Sequence, residues 1–322
     1  MRRLVSGFLA IAAVACLTRA APACDLHALR TAGAIDDDAP GFRLGVTEQW
    51  TRYATVQNGD DEIRDPFGER LESSITGLLA GYRFTDRVGV ELRLPVISRQ
   101  FGRVKPSGAV EHDDESGIGD LALLADVVAF RRETDASRFR LGLVGGLELP
   151  TGDSGRLREE GDEDHAHEPG EGHPVSGIHG HDLALGSGSV DGLLGADLFW
   201  SWRRAFFTAT LLYGIRSEGD FDFEYADDLQ WSGGPGIVAW RGVESILAVQ
   251  AVLSGETKGQ DRLDGRRLGD TAATTLFAGP GVHVGWRRLV VEVVAEVPAV
   301  TNRTGVQIVP DVRARGGLRW RF

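Results

Sequence analysis

The stretch DVRARGGLRWRF, Asp311 to Phe322, alternates without a break. Val312, Ala314, Gly316, Leu318, Trp320 and Phe322 form one set; Asp311, Arg313, Arg315, Gly317, Arg319 and Arg321 form the other. A period of two puts these sets on opposite faces of a β-strand, one apolar and one charged. The pattern recurs. Val88, Val90, Leu92, Leu94 and Val96 alternate with Glu91 and Arg93; Phe139, Leu141, Leu143, Leu147 and Leu149 with Arg138, Arg140 and Glu148; Leu289, Val291, Val293, Ala295 and Val297 with Glu292 and Glu296. A soluble sheet can show such alternation, but charges this regular behind an apolar face suit a polar lumen inside lipid.

About twelve segments carry the pattern, each near the ~9–11 residues that a tilted strand needs to cross a bilayer. They fall at 42–54, 72–84, 88–101, 117–130, 138–150, 189–201, 205–217, 229–240, 244–255, 271–286, 289–298 and 311–322. The connections alternate between short (85–87, 131–137, 202–204, 241–243 and 287–288) and long (55–71, 102–116, 151–188, 218–228, 256–270 and 299–310). Short periplasmic turns and longer outer loops predict an all-β fold, a closed antiparallel transmembrane β-barrel of about 12 strands with both termini inside. Trp200, Trp202, Trp240, Trp286 and Trp320 fall at one predicted rim, where an indole suits the membrane interface. Phe322 after Trp320 is similar to the terminal strand signature read by the bacterial barrel-assembly machinery.

At the other end, Met1-Arg2-Arg3, the apolar run Leu4 to Leu17 and Ala21-Pro22-Ala23 read as a signal peptide over 1–23, removed on export. That leaves 24–41 as an N-terminal periplasmic segment and 42–322 as the barrel, in the bacterial outer membrane. Cys24 would be the only cysteine of the exported chain, so no internal disulfide is expected; whether Cys24 is lipidated stays open. Acidic residues outnumber Lys and Arg by 47 to 35, for a net charge of -12, which argues against nucleic acid as a partner. Much of the acidic excess lies in the long loops, at Asp60-Asp61-Glu62 and Glu159 to Asp164, where divalent cations can bridge to lipopolysaccharide.

The inward set predicts a lumen lined by Glu91, Arg93, Asp120, Asp126, Arg138, Arg140, Asp191, Asp197, Glu292, Glu296, Arg313 and Arg315, with Arg216, Glu244, Arg319 and Arg321 beside them. Mixed signs make either a selective constriction in a small-molecule channel or a set of salt bridges that fills it, and both readings stand. Twelve-stranded barrels also carry lipid hydrolases, which need a Ser–His pair at the lipid-facing rim. His283 is the one histidine within a predicted strand; parity turns it inward, and no serine lies near it in sequence. A structural lumen histidine is expected, with no catalytic residue and no enzymatic activity.

The longest predicted loop, 151–188, holds five of the eight histidines: His165, His167, His173, His179 and His181. On an extended backbone His179 and His181 point to one side, so with Asp182 or the other histidines they form a candidate site for Zn(II) or Cu(II). Ordering loop residues costs about 1–2 kcal/mol each, so weak, surface-exposed capture and plain solvated disorder are the two expectations.

GIGDLALLADVVAF (117–130), LGLVGGLELPTGDSG (141–155), LALGSGSVDGLLGADLFW (183–200), RLPVISRQF (93–101) and the terminal LRWRF resemble blocks of outer-membrane proteins grouped with the meta-pathway phenol-degradation family. The resemblance implies a transporter-like barrel for small aromatic or hydrophobic compounds. The His-rich insert and CDLHAL near residue 24 lie outside those blocks, and the insert points instead to a metal-linked barrel as the alternative.

Overall fold

Alternating apolar and polar side chains satisfy both faces at once if the sheet closes on itself, with lipid outside and charge inside. The computed structural model, which describes residues 39–105, 107–161 and 175–322, has this form. The expected signal peptide, Cys24 and nearly all of the segment 24–41 lie outside the described residues. The strands are β1 (Gly41–Asn58), β2 (Arg70–Arg83), β3 (Val88–Val104), β4 (Val110–Ile118), β5 (Leu121–Glu133), β6 (Ser137–Leu149), β7 (Asp191–Trp202), β8 (Ala205–Ile215), β9 (Asp228–Arg241), β10 (Ser245–Lys258), β11 (Ala273–Trp286), β12 (Leu289–Arg303) and β13 (Val306–Arg321). β4 and β5 both pair with β3 and form one interrupted stave, so the barrel has twelve staves. Pairing is antiparallel throughout, and β13 returns to β1, from Arg43 opposite Arg321 to Asn58 opposite Val306. Closure leaves no open edge in the hydrocarbon, which a membrane-spanning backbone requires.

The outward set is apolar and exposed: Leu92, Leu123, Leu143, Leu194, Leu253 and Val293 all stand on the outer face. Trp200, Trp202, Trp240, Trp286 and Trp320 are exposed at the short-turn end, and Phe42 meets Phe322 there at 5.7 Å between ring centroids. A closed barrel with an apolar belt and a tryptophan rim is an outer-membrane barrel, and membrane lipid is its surroundings.

The long-loop end differs from expectation in three places. The stretch 299–310 is not a loop: β12 runs to Arg303 and β13 starts at Val306, leaving a two-residue turn. Pro310 and the polar run Thr301-Asn302-Arg303 read as loop residues, yet the ladder absorbs them through bulges. One such bulge is at Ala299, skipped between Val300 opposite Leu276 and Pro298 opposite Phe277. Likewise β3 and β4 extend a hairpin through most of 102–116, and β1 continues to Asn58 within 55–71. Finally, the single strand expected at 117–130 breaks at Gly119-Asp120.

That break is where the wall receives a plug. After β6 stops at Leu149, the described parts of the following segment fold back over the mouth. They include a 3-10 turn at Gly155–Leu157, a short helix α1 (Gly180–Leu183) and an irregular return to β7. Ile178 and Leu183 pack with Val56, Leu71, Phe101 and Ile308 of the wall. Leu157 and Ala184 pack with Phe223 and Leu263 from two further loops, which join as a small sheet of Phe223–Glu224, Arg262–Leu263 and Arg266–Arg267. Gly152 and Gly186 meet backbone to backbone: a Cβ on Gly186 would lie 2.7 Å from the Gly152 carbonyl carbon. Only glycine allows that approach.

Candidate functional site

Three buried carboxylates hold the plug, each by accepting from backbone N–H groups that the irregular chain cannot pair with itself. Glu69 Oε1 accepts from the Val104 N–H at 2.9 Å and from the Ser176 hydroxyl, and Oε2 accepts from the Gly177 N–H at 2.9 Å. Asp120, placed by the break between β4 and β5, accepts from the Gly152 N–H at 2.9 Å, the Ser187 N–H at 2.7 Å and the Ser187 hydroxyl at 2.9 Å. Glu160 accepts from the His181 N–H at 2.6 Å and meets His181 Nδ1 at 2.9 Å. Arginines of the wall add to this: Arg99 donates to the Ala184 carbonyl, and Arg103 pairs with Glu111 and Glu159.

Beneath the plug lies a cavity of about 160 Å³. Leu71, Ile75, Ile97, Leu185 and Ile308 give it apolar wall, while Arg93, Arg216 and Arg313 together with Asp120, Glu148 and Glu256 give it charge of both signs. An apolar cavity of roughly this size holds one benzene ring. The charged groups belong to networks across the staves. Arg216 joins Glu148, Asp191 and Asp228, with 2.9 Å to Asp191 and 2.7 Å to Asp228. Arg315 donates to both oxygens of Glu296 at 2.9 Å, Arg313 reaches Glu296 at 3.2 Å and pairs with Glu256, and the Ser254 hydroxyl donates to Glu296 at 2.7 Å. The Arg313 guanidinium also lies 3.6 Å from the Phe277 ring centroid.

Of the residues picked from parity, the structure places Asp191 in the first network and Glu296, Arg313 and Arg315 together in the second. Glu91 and Arg93 pair at 2.7 Å, with Arg319 at 3.3 Å from Glu91. Asp126 pairs with Arg83, and Arg140 with Asp197. Glu292 lies 3.4 Å from Nδ1 of His283, whose Nε2 is 2.9 Å from the Gln250 side-chain oxygen, so this histidine is a buried lumen group. Arg138 lies at the short-turn rim, 3.9 Å from Glu133, and Glu244 is exposed at that rim beside Arg287 rather than facing the lumen, because it falls in the turn before β10. Asp120 lines the lumen cavity and, because the stave breaks there, also accepts from N–H groups of the plug. Periodicity misses Glu69, Glu160, Glu256, Asp228 and Gln250. Glu256 and Asp228 lie at strand ends where the alternation merges into loop composition, and Glu69 and Glu160 lie in polar stretches with no period.

The metal candidates divide. His165, His167 and His173 lie outside the described residues. His179 and His181 are buried, 3% and 6% exposed, which overturns the expected surface-exposed site. Their backbone is not a plain extended run either: His179 is extended, at φ -104° and ψ 172°, but His181 lies in α1. Their rings nonetheless stack, with centroids 5.4 Å apart and planes at 9°. Burial alone would lower the His181 pKa, but the Asp182 and Glu160 carboxylates outweigh it and hold the imidazole up to about 10. Burial raises Glu160 in turn, and the charge and hydrogen bond of His181 bring it down to about 2. The Tyr225 hydroxyl donates to the His181 carbonyl at 3.0 Å.

No protein-family model matches the sequence, and no curated protein matches it. Among solved structures, the chain is similar to an outer-membrane channel from Pseudomonas putida F1, with 14% identity, a TM-score of 0.59, and coverage of 88% of this chain and 96% of that one. It is more distantly similar to the translocator domain of the autotransporter NalP from Neisseria meningitidis, at 12% identity and a TM-score of 0.41, covering 90% of this chain and 91% of that one. The first likeness agrees with the fold described above, a closed outer-membrane barrel.

Proposed function

We propose that this barrel is a plugged outer-membrane channel for small molecules that combine a ring-sized apolar body with a polar end. The observation that carries this reading is the roofed cavity, whose wall is apolar on Leu71, Ile75, Ile97 and Ile308 and charged at Arg93, Arg216 and Arg313. Convergent polar groups facing an apolar wall fix orientation and set selectivity. The P. putida protein of similar fold is an outer-membrane channel, and the resemblance to the meta-pathway phenol-degradation family fits a small aromatic cargo. Lipopolysaccharide around the long-loop rim and the barrel-assembly machinery are the partners this reading brings with it.

A passage is favoured over a membrane-embedded hydrolase because His283 faces Gln250 and Glu292 in the lumen, away from the lipid-facing rim where such chemistry works. Planar-bilayer recording and uptake into liposomes test the proposal. Wild-type protein is expected to conduct little, and to pass phenol or benzoate in preference to glucose. A Glu69→Ala/Asp120→Ala variant, with the plug released, is expected to conduct freely. Silence in both proteins, with no uptake, would overturn the channel reading.

A further inference from the structure

The face of the plug around α1 brings two imidazoles and several carboxylates into one buried cluster, of which His181 and Asp182 also line the cavity below. Ile178 and Leu183, both 0% exposed, fix the backbone on either side. His179 Nδ1 is 3.8 Å from Asp182 Oδ2, and His181 Nε2 is 3.6 Å from Asp182 Oδ1. One donor atom from each of the three residues lies within 4.8 Å of the others. Neither ring nitrogen of His179 has a hydrogen-bond partner, although the side chain is only 4% exposed. A buried imidazole without hydrogen bonds calls for an explanation.

We propose that His179 Nδ1, His181 Nε2 and the Asp182 carboxylate bind one divalent transition-metal ion of the Zn(II) type. Separations of 3.6 and 3.8 Å are too long for hydrogen bonds. They are close to the edge of a tetrahedron with ~2.0 Å bonds, about 3.3 Å, so small side-chain shifts complete the set. The surroundings supply the outer contacts that orient such ligands. Glu160 sits 2.9 Å from His181 Nδ1, the ring nitrogen not assigned to the metal, and Asp270 sits 3.6 Å from His179 Nε2. Carboxylates behind each ligating imidazole fix its tautomer and ring orientation. Asp182 is itself held, accepting from the His179 N–H at 3.0 Å.

Two nitrogens and an oxygen suit Zn(II), with water at the fourth position. The carboxylates gathered here also favour a cation. Binding requires both Nδ1 of His179 and Nε2 of His181 as free lone pairs, so any proton on them leaves to solvent as the metal enters. The side chain of Asp270 is 33% exposed, which leaves the cluster a route to the outside.

The test uses the full chain in detergent, freed of metal and titrated with Zn(II) by calorimetry. One ion per chain is expected in wild type, and equally in a His165→Gln/His167→Gln/His173→Gln variant. His179→Gln and Asp182→Asn should each weaken binding at least ten-fold, and Asp270→Asn by about ten-fold as an outer-contact change. Absorption spectroscopy at the zinc edge needs no variant: it should report two imidazole nitrogens in the coordination shell. An all-oxygen shell, equal affinity in His179→Gln and wild type, or no binding in any protein would each overturn the site.

Discussion

The lumen wall and the plug bury the same kinds of groups and use them in opposite ways. In the wall, charges come from alternate strand positions and pair across neighbouring staves, as Arg315 with Glu296 or Arg140 with Asp197. The backbone there is already closed into a ladder, so the ion pairs fill the interior of a barrel that the ladder holds together. In the plug, carboxylates hold backbone. Glu69 alone serves donors from Val104, Ser176 and Gly177, residues far apart in the chain. A barrel lumen therefore tolerates rearranged charges better than the plug tolerates loss of one acceptor.

Glu69→Ala puts this contrast at greatest risk. Three donors lose their acceptor, and each one left buried and unpaired costs about 1–3 kcal/mol. The expected outcome is release of the plug within an intact barrel, read as a rise in conductance of about ten-fold or more and as new protease cleavage within 151–161 or 175–189. If the urea midpoint of the whole barrel falls instead, plug and wall are one unit and the contrast fails.

Glu296→Ala probes the other side. Removing the shared partner of Arg313 and Arg315 leaves buried charge uncompensated, at about 3–5 kcal/mol. Equilibrium unfolding should show this as lower barrel stability, with protease resistance of 151–161 and 175–189 unchanged. Replacing Asp120 by Asn keeps an acceptor oxygen but loses the charge; the effect on plug release is expected to be smaller than for Glu69→Ala, about 1–2 kcal/mol. The smallest effect belongs to the Arg287–Glu244 pair at the short-turn rim, 2.7 Å apart with both side chains more than half exposed. Arg287→Ala should change stability by less than about 1 kcal/mol, and a larger shift in the unfolding midpoint would mean that the rim carries part of the fold assigned here to the ladder.

The barrel was legible because lipid imposes a rule that each residue's immediate neighbours express. Lipid-facing positions are apolar, lumen-facing ones are free to be charged, and the period of two writes this into Val312 to Phe322, Val88 to Val96 and Leu289 to Val297 without reference to distant residues. Strand ends were less legible. Arg303 and Val306 continue the ladder beyond the apolar belt, where alternation is no longer required.

The plug follows no such local rule. Nothing near Glu69 in sequence shows that it will accept from Ser176 and Gly177, and nothing near Asp270 shows that it will lie beside His179. Hydrophobic periodicity is a local property, so the linear chain was enough to dictate a closed sheet, its two faces, its tryptophan rim and most of its lumen charges. The inward turn of the described parts of 151–189, the choice of carboxylates that hold them, and the burial of His179 and His181 came only with the folded barrel, because each depends on acceptors and apolar surface supplied by staves remote in the chain.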